Sequence, residues 1–347
     1  MVLQRIMSIV PQPRQFSFNA NSLAGQGLLR SPETDRDDFW ICFWNVENLF
    51  TPDTATKLGR GPRTKNECEA KLRRIADVVN QAAEGDAPDL IAFAEVQSER
   101  LLMELERLLS QRYHQLFQDP HEVNATGLAL LARKDLFNSP VMLCAHDKDL
   151  ARPRAMLTLV NFKDKPFLLA VNHWKSRMGK PIETEQDRVA TASWLGSQLM
   201  RWHSKTPVIV LGDFNAEPFE RPLSNSEFRG VRFRHQVSRR HWRSRLYNTA
   251  WSFLSHREGC PPTSYAPDPN APANPVIFDQ LLVSGALVDG TGSLQLDEYT
   301  VNFFACPDNA TERDGVYQPA RWNGTGLTGA SDHFPIVARF RAQEPPA

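Results

Sequence analysis

The sequence predicts an α/β fold, on three observations. Short apolar runs of strand length recur along the chain, segments with helical apolar spacing stand between several of them, and the runs repeatedly end in a polar residue able to bind metal or phosphate. Residues 1–37 mix Pro, Gln, Ser, Asn and Gly with scattered Arg and show no sustained periodicity, which predicts a flexible or peripheral arm ahead of a single ordered domain over 38–341. Order begins at Phe39-Trp40-Ile41-Cys42-Phe43-Trp44, an aromatic and β-branched run that reads as a buried strand ending at Asn45. Leu72, Ile75, Ala76 and Val79 then share one helical face, predicting a helix over 65–84 closed by Gly85 and Pro88. Leu90-Ile91-Ala92-Phe93-Ala94 is a second strand delivering Glu95, and 101–111 reads as an amphipathic helix with Leu101, Leu105, Leu108 and Leu109 inward. Strands follow at 128–132, 156–160 and 167–172, a helix at 185–202, and a strand at 208–211 that stops at Gly212. Residues 261–275 are a Pro- and Asn-dense loop, the last strands lie at 278–283 and 336–340, and 342–347 is a frayed tail.

Bulk properties narrow the function classes. With 347 residues, and 40 Lys+Arg against 40 Asp+Glu, the net charge is zero, so nothing supports a protein held on duplex DNA by electrostatics alone. The five cysteines, Cys42, Cys68, Cys144, Cys260 and Cys306, are scattered, with no Cys-x-x-Cys pair. They are expected to be free thiols rather than a zinc site or a disulfide framework. No stretch approaches the ~20 apolar residues of a membrane span, and the apolar patch from Ile6 stops at Pro11, too short for an export signal. A cytoplasmic setting is expected. Nothing in the sequence names a protein partner.

The polar residues at strand ends carry the chemistry, because strand ends on one edge of a sheet lie close in space. Asn45 offers an amide for a metal-linked water or a phosphate oxygen, and Glu47 lies two residues on, on the same side of an extended chain; an Asx turn is the plainer reading of the pair. Glu95 is an acid closing a buried strand, or an acid at the start of a helix beginning near Ser98. His173-Trp174-Lys175-Ser176-Arg177 places a histidine and two cations where a tetrahedral anion could be held, or forms a basic loop. In Gly212-Asp213-Phe214-Asn215 a carboxylate and an amide share a side, suited to orienting and deprotonating a water, though an Asp/Asn turn has the same composition. Asp279 sits in an otherwise apolar strand and needs a partner, and a histidine such as His333 of Ser331-Asp332-His333 would suit it.

Taken in order, Trp44-Asn45-Val46-Glu47, Glu95, Asn172-His173-Trp174-Lys175-Ser176, Gly212-Asp213-Phe214-Asn215, Phe278-Asp279-Gln280 and Ser331-Asp332-His333 resemble the endonuclease/exonuclease/phosphatase superfamily over roughly 39–341. The resemblance implies a four-layer α-β-β-α sandwich with two packed mixed sheets. It implies Glu95 as the main metal ligand, assisted by Asn45 and Glu47, with Asp332 near the metal, and Asp213 and Asn215 at the attacking water. It also implies His333, held by Asp279, and His173 as phosphate contacts, with Lys175 and Arg177 supplying positive charge to the substrate phosphate. The cofactor implied is Mg2+ or Mn2+, in keeping with oxygen donors and the lack of Cys/His clusters.

Two departures bear on substrate. Pro275-Val276-Ile277-Phe278-Asp279-Gln280 stands where inositol 5-phosphatases carry a Pro-Ala-Trp-x-Asp-Arg type sequence, which lowers that reading. Within the long interval from Asp279 to Asp332, residues 316–329 form either a substrate-side lid or a surface excursion, and the excursion is the plainer expectation. Arg229, Arg232, Arg234, Arg239, Arg240, Arg243 and Arg245, interleaved with His235, His241 and Trp242, suit a nucleic-acid backbone or form a solvated basic face. The expected activity is therefore metal-dependent phosphodiester hydrolysis with nucleic acid as substrate. The alternatives are a phosphodiesterase or phosphatase on a lipid head group or small metabolite, and a binding module without turnover.

Overall fold

Two large mixed sheets lie face to face, and helices cover the outer face of each. The computed structural model describes residues 36–120, 124–146, 154–177, 181–202, 206–224, 228–237, 245–254, 264–266, 274–313 and 316–343. Residues 1–35 of the arm expected over 1–37, the end of the tail, most of the 261–275 loop, Cys260, and Arg239, Arg240, His241, Trp242 and Arg243 lie outside them.

The strands in chain order are β1 (Asp38–Leu49), β2 (Leu90–Val96), β3 (Tyr113–Gln118), β4 (Gly127–Arg133), β5 (Val141–His146), β6 (Ala155–Phe162), β7 (Lys165–His173), β8 (Val208–Asp213), β9 (Arg229–Val231), β10 (Arg245–Asn248), β11 (Ser264–Ala266), β12 (Asn274–Val276), β13 (Asp279–Val283), β14 (Leu294–Phe303), β15 (Ala310–Arg313), β16 (Val316–Pro319) and β17 (Ile336–Ala342). The first sheet has the order β14-β17-β1-β2-β4-β3 and the second β5-β6-β7-β8-β13-β10-β9. The helices that matter here are α1 (Pro52–Leu58), α2 (Lys65–Val79), α3 (Glu99–Glu106) and α4 (Pro181–Trp202).

Alternation along the strands builds the layers. In β1, Phe39, Ile41 and Phe43 enter the core between the sheets with Leu169, Val171, Ile209 and Leu211, whereas Trp40, Cys42 and Trp44 pack outward against Leu72, Ile75 and Val79 of α2 and Leu101 and Leu105 of α3. In the second sheet, Leu168 and Ala170 of β7 and Val208 and Val210 of β8 face outward onto Ala192, Leu195 and Leu199 of α4. Both faces of these strands are covered, which is why the runs are continuously apolar instead of alternating. The result is the expected four-layer sandwich.

Several elements differ from expectation: β1 runs on to Leu49, α4 begins at Pro181, and strands such as β3, β5 and β14 were not expected. Helix α2 stops at Val79, with Asn80 as its C-cap, and 80–84 are turn. Helix α3 ends at Glu106, so Leu108 falls beyond the helical face and is 40% exposed, while Leu101, Leu105 and Leu109 are buried as expected. Strand β14 was not legible, because Asp297, Glu298 and Tyr299 interrupt its apolar alternation where its register with β17 shifts. Cys42, Cys68, Cys144 and Cys306 are free thiols. No helix among the described residues is long and apolar enough to cross a membrane.

The pairing fixes where the site must be. β1 and β2 run parallel with Asn45 opposite Ala94, and β17 runs antiparallel to β1 with Ile336 opposite Phe43, so the last residues of β1 and β2 and the residues before β17 share one edge. In the second sheet β7 and β8 are parallel with His173 opposite Asp213, and β13 is antiparallel to β8 with Asp279 opposite Asp213.

Candidate active site

The strand exits are held open by backbone geometry that few residues adopt. Gly212 has φ 150°, and a Cβ there would lie 2.2 Å from the Asn172 carbonyl oxygen, so a side chain at this position would push β7 and β8 apart. Eight non-glycine residues have positive φ among the described residues, and four of them (Glu47, Asn48, Glu95 and Asn215) are at this edge. Such conformations persist only where the surroundings over-determine them, and they concentrate at functional sites. Bulges in β1 and β2 carry the first three of these residues, which turns the acids toward each other instead of alternating across the sheet.

A cavity of about 380 Å³ opens at this edge, lined by Asn45, Glu47, Glu95, His173, Lys175, Asp213, Asn215, Asp332 and His333. Of the sequence-derived site residues, only Asp279 and Arg177 are outside its lining. Asp213 is at its centre. Its Oδ1 accepts from the Asn215 amide at 2.9 Å, while its Oδ2 accepts from Asn45 Nδ2 at 3.1 Å. The Nε2 atoms of His173 and His333 stand 3.8 and 3.9 Å from that same Oδ2. Those two separations exceed a direct hydrogen bond and leave room for a water or a phosphoryl oxygen. Glu95 accepts from the Asn48 amide at 2.6 Å and from Asn45 Nδ2 at 3.3 Å, and lies 3.6 Å from His173 Nε2.

Asn45 lies between the two acids. Its Oδ1 accepts from the Glu47 amide at 3.1 Å, and because a backbone N–H can only donate, the amide orientation is fixed with Nδ2 toward Glu95 and Asp213. The side chain therefore bridges the two carboxylates as a donor, with one lone pair of its oxygen taken by the Glu47 amide.

His333 and Asp279 form a buried pair, with Nδ1 2.8 Å from Asp279 Oδ2. Ser331 positions this histidine: its hydroxyl donates to the Asn45 carbonyl at 2.6 Å and accepts from the His333 amide at 3.1 Å, while Trp44 Nε1 donates to the His333 carbonyl at 2.8 Å. Trp174 plays the matching part on the other sheet, its amide donating to the Asp213 carbonyl at 2.8 Å and its carbonyl accepting from Asn215 Nδ2 at 3.1 Å. Asp213, Asp279 and His333 offer potential metal-ligand atoms within 4.8 Å of one another, but Nδ1 of His333 is already bound by Asp279, so only Nε2 and Asp213 face the cavity.

The two histidines are driven apart electrostatically. Burial alone would depress His333, but Asp279 and Asp213 outweigh it and hold the imidazole well above the ordinary histidine value. Burial wins at His173 over Glu95 and Asp213, and its value is lowered. Burial also pushes the Asp213 carboxyl up, with His333 opposing the shift. The raised value means that the His333–Asp279 pair adds stability fully present below the ordinary histidine value and lost as pH rises through the raised one. In metal-free protein, imidazole NMR should find His333 protonated at neutral pH, and Asp279→Asn should drop its titration below the ordinary histidine value. Titration of the parent His333 at or below that value would contradict the assignment.

Arg177 lies outside the cavity lining. Its Nε donates to the Asn215 carbonyl at 3.0 Å, its Nη2 pairs with Glu220, and its guanidinium stacks 4.5 Å from the Phe278 ring. Those contacts hold the Asn215 turn and turn the guanidinium away from the cavity. Arg177→Ala should therefore cost about 1–2 kcal/mol of stability in denaturant unfolding, with KM for a phosphodiester unchanged. A rise in KM without loss of stability would restore it as a phosphate contact.

The basic segment over 229–245 is also not at the cavity among its described residues: Arg232 stacks on Phe233 and Trp251, and Arg234 pairs with Glu298 at 3.3 Å. The cations lining the cavity are instead Arg60, Lys71, Arg154, Lys175 and Arg321. Sequence reasoning missed four of these. Lys71 is fully buried, donates to the Glu47 carbonyl, and lies 5.7 Å from the centre of the Trp322 ring. Burial brings its ammonium down to about 8 against the pull of Glu47, Glu95 and Asp332. It was detectable, since it falls four residues before Ile75 on the apolar face of α2.

The sequence matches the Endonuclease/Exonuclease/phosphatase family over residues 40–342. No curated protein matches it. Among solved structures, it is similar to truncated Caenorhabditis elegans TDP2, with a TM-score of 0.55 at 15% identity over 88% of this chain and 98% of that one. It is also similar to D. rerio TDP2 complexed with single strand DNA product, at 0.55 and 16% over 87% and 98%. An endonuclease/exonuclease/phosphatase family protein from Bacteroides thetaiotaomicron gives 0.54 and 16% over 87% and 94%. At these identities the likeness shows the fold.

Proposed function

This chain belongs to the Endonuclease/Exonuclease/phosphatase family of divalent-metal-dependent phosphoesterases, and from that premise we propose that it hydrolyses phosphodiesters of single-stranded nucleic acid in the cavity around Asp213. The observation that carries the reading is the ring of donors around one carboxylate oxygen, Asp213 Oδ2, with Asn45, His173 and His333 about it and Glu95 alongside.

The donor set fits a hard cation: Glu95, Glu47 and Asp332 line one side of the cavity with carboxylate oxygens, and among the described residues no cysteine is with them. A Mg2+ or Mn2+ ion held there by Glu95, with Glu47 and Asp332 beside it, would neutralise negative charge on the phosphoryl and leaving oxygens.

The remaining chemistry belongs to the chain. Each Asp213 oxygen accepts one N–H, and Oδ2, the one with His173 and His333 Nε2 near it, is the oxygen that takes the proton of an attacking water. Asn215 Nδ2 is committed to the Trp174 carbonyl, which leaves its Oδ1 to orient that water. The water oxygen bonds to phosphorus, its proton passes to Asp213, and the P–O bond to the leaving oxygen breaks, that oxygen departing as an alkoxide that takes a proton from solvent. His333, held cationic by Asp279, directs Nε2 at a phosphoryl oxygen where charge grows. His173 is the neutral partner at the opposite side, and Lys175 adds positive charge at the rim. The pairing of one charged and one neutral imidazole lets the site hold an anion while leaving Asp213 able to act as base.

The substrate class rests on the walls. Arg60, Arg154, Lys175 and Arg321 line the cavity, and Trp322 supplies aromatic surface, a combination suited to a backbone of several phosphates with a base against the ring. The D. rerio TDP2 structure holds a single strand DNA product. The test is metal-stripped protein assayed on DNA, RNA, phospholipid and small phosphate-ester panels with Mg2+ or Mn2+ restored. Cation-dependent cleavage of single-stranded nucleic acid is expected. Release of phosphocholine or inorganic phosphate alone would replace the substrate, and no hydrolysis with either cation would overturn the reading.

A further inference from the structure

Arg321 sits at the start of a hairpin that leaves β16 and returns to Ser331 and His333. The hairpin is closed by its own backbone: the Ala330 amide donates to the Ala320 carbonyl at 2.8 Å, and Asn323 and Thr328 exchange hydrogen bonds at 2.9 and 3.2 Å. It also leans on α2, where a Cβ at Gly324 would come 2.6 Å from Glu67 Oε2. The Trp322 amide donates to Glu47 Oε2 at 3.3 Å, with Lys71 over the Trp322 ring. These anchors do not involve the Arg321 side chain.

The Arg321 guanidinium bridges two acids of the cavity. Its Nε and Nη2 lie 2.8 and 2.7 Å from Glu47 Oε1, and Nη2 is 3.1 Å from Asp332 Oδ2. Nη1 has no partner among the described residues, and the side chain is 65% exposed. A monovalent guanidinium and a divalent cation therefore draw on the same two carboxylates. A guanidinium fork also matches phosphate oxygens in a plane, so the group released from carboxylates has an anion to turn to.

We propose that Arg321 is a substrate-phosphate clamp released by the divalent cation: the cation takes Glu47 and Asp332, and the guanidinium turns by side-chain torsions onto an oxygen of the bound phosphate. The binding order follows, cation first and substrate second. The proposal deepens the reading that this cavity cleaves a phosphodiester, and rests on it for the identity of the anion.

The experiment uses the full chain with Arg321→Ala and Arg321→Lys, each checked for an unchanged thermal midpoint. Calorimetry of Mg2+ alone into metal-stripped protein reads the first half. Anisotropy of a labelled single-stranded phosphorothioate oligodeoxynucleotide in saturating Mg2+ reads the second. Loss of two ion pairs should tighten Mg2+ in Arg321→Ala by about tenfold and weaken the oligonucleotide by about tenfold, with Arg321→Lys between the variant and the parent. A merely structural arginine would weaken both or change neither, and either result overturns the proposal, as does tighter oligonucleotide binding. A parent that binds Mg2+ but no oligonucleotide removes the nucleic-acid reading instead, and inorganic phosphate then serves as the probe for the clamp, with the same opposite signs required.

Discussion

Asp213→Asn is expected to lower kcat by about 10³-fold or more, the range a positioned general base supplies. The change removes one negative charge and almost no volume from a fully enclosed position. Oδ1 must still accept from the Asn215 amide, so the new amide nitrogen would face Asn45 Nδ2, donor against donor, where a carboxylate oxygen stood 3.1 Å away. Two effects are therefore separable. The donor clash should cost about 1–2 kcal/mol of stability, visible in denaturant unfolding, whereas the loss of a proton acceptor should appear in kcat at temperatures where the variant is folded. His333→Ala should lower kcat comparably by removing the cationic donor, with KM rising as well because the phosphate loses a contact in the ground state. The two losses should not add in the double variant, since both act on one transition state. A folded Asp213→Asn protein with kcat within an order of magnitude of the parent would remove Asp213 from the proton transfer.

Glu95→Gln should raise the Mg2+ concentration for half-maximal activity by about 10²-fold or more, because even residues that only support a metal ligand cost 10–100-fold in affinity. Glu95 is suited to this test because its backbone is unusual. At φ 65° it turns back from β2 so that its carboxylate meets the Asn48 amide and Asn45 Nδ2 from the bulge in β1. Glutamine keeps that reach and removes the charge. Saturating Mn2+ should recover part of the rate. Unchanged Mg2+ dependence would place the cation away from Glu95.

The resemblance of the ordered motifs led to the four layers, and the strand-end residues led to the cavity. Asn45, Glu95, His173 and Asp213 were legible as an ordered set at strand ends, since each alone also reads as a turn, a helix-start acid or a basic loop. Asp279 was legible because a carboxylate in an apolar strand needs a partner. The surroundings of Arg177 were not legible, because β7 ends at His173 and nothing local says where a side chain four residues on will settle. The partners that capture it, Glu220 and Phe278, lie far along the sequence. The orientation of Asn45 was out of reach for a similar reason: it is decided by the Glu47 amide, which a φ of 44° turns toward the side chain. Arg321 had no local signal at all, being one arginine in an excursion that composition describes as loop. Its contacts come from a backbone that returns to Asp332 and from Glu47, 274 residues earlier in the chain.

The most direct measurement is anomalous diffraction from crystals soaked in Mn2+. The predicted result is a manganese peak in the cavity within coordination distance of Glu95, with the His333 imidazole on the facing wall. A peak bound elsewhere, or a cavity that stays free of manganese at concentrations supporting activity, would contradict a single cation-centred site built from both sheets.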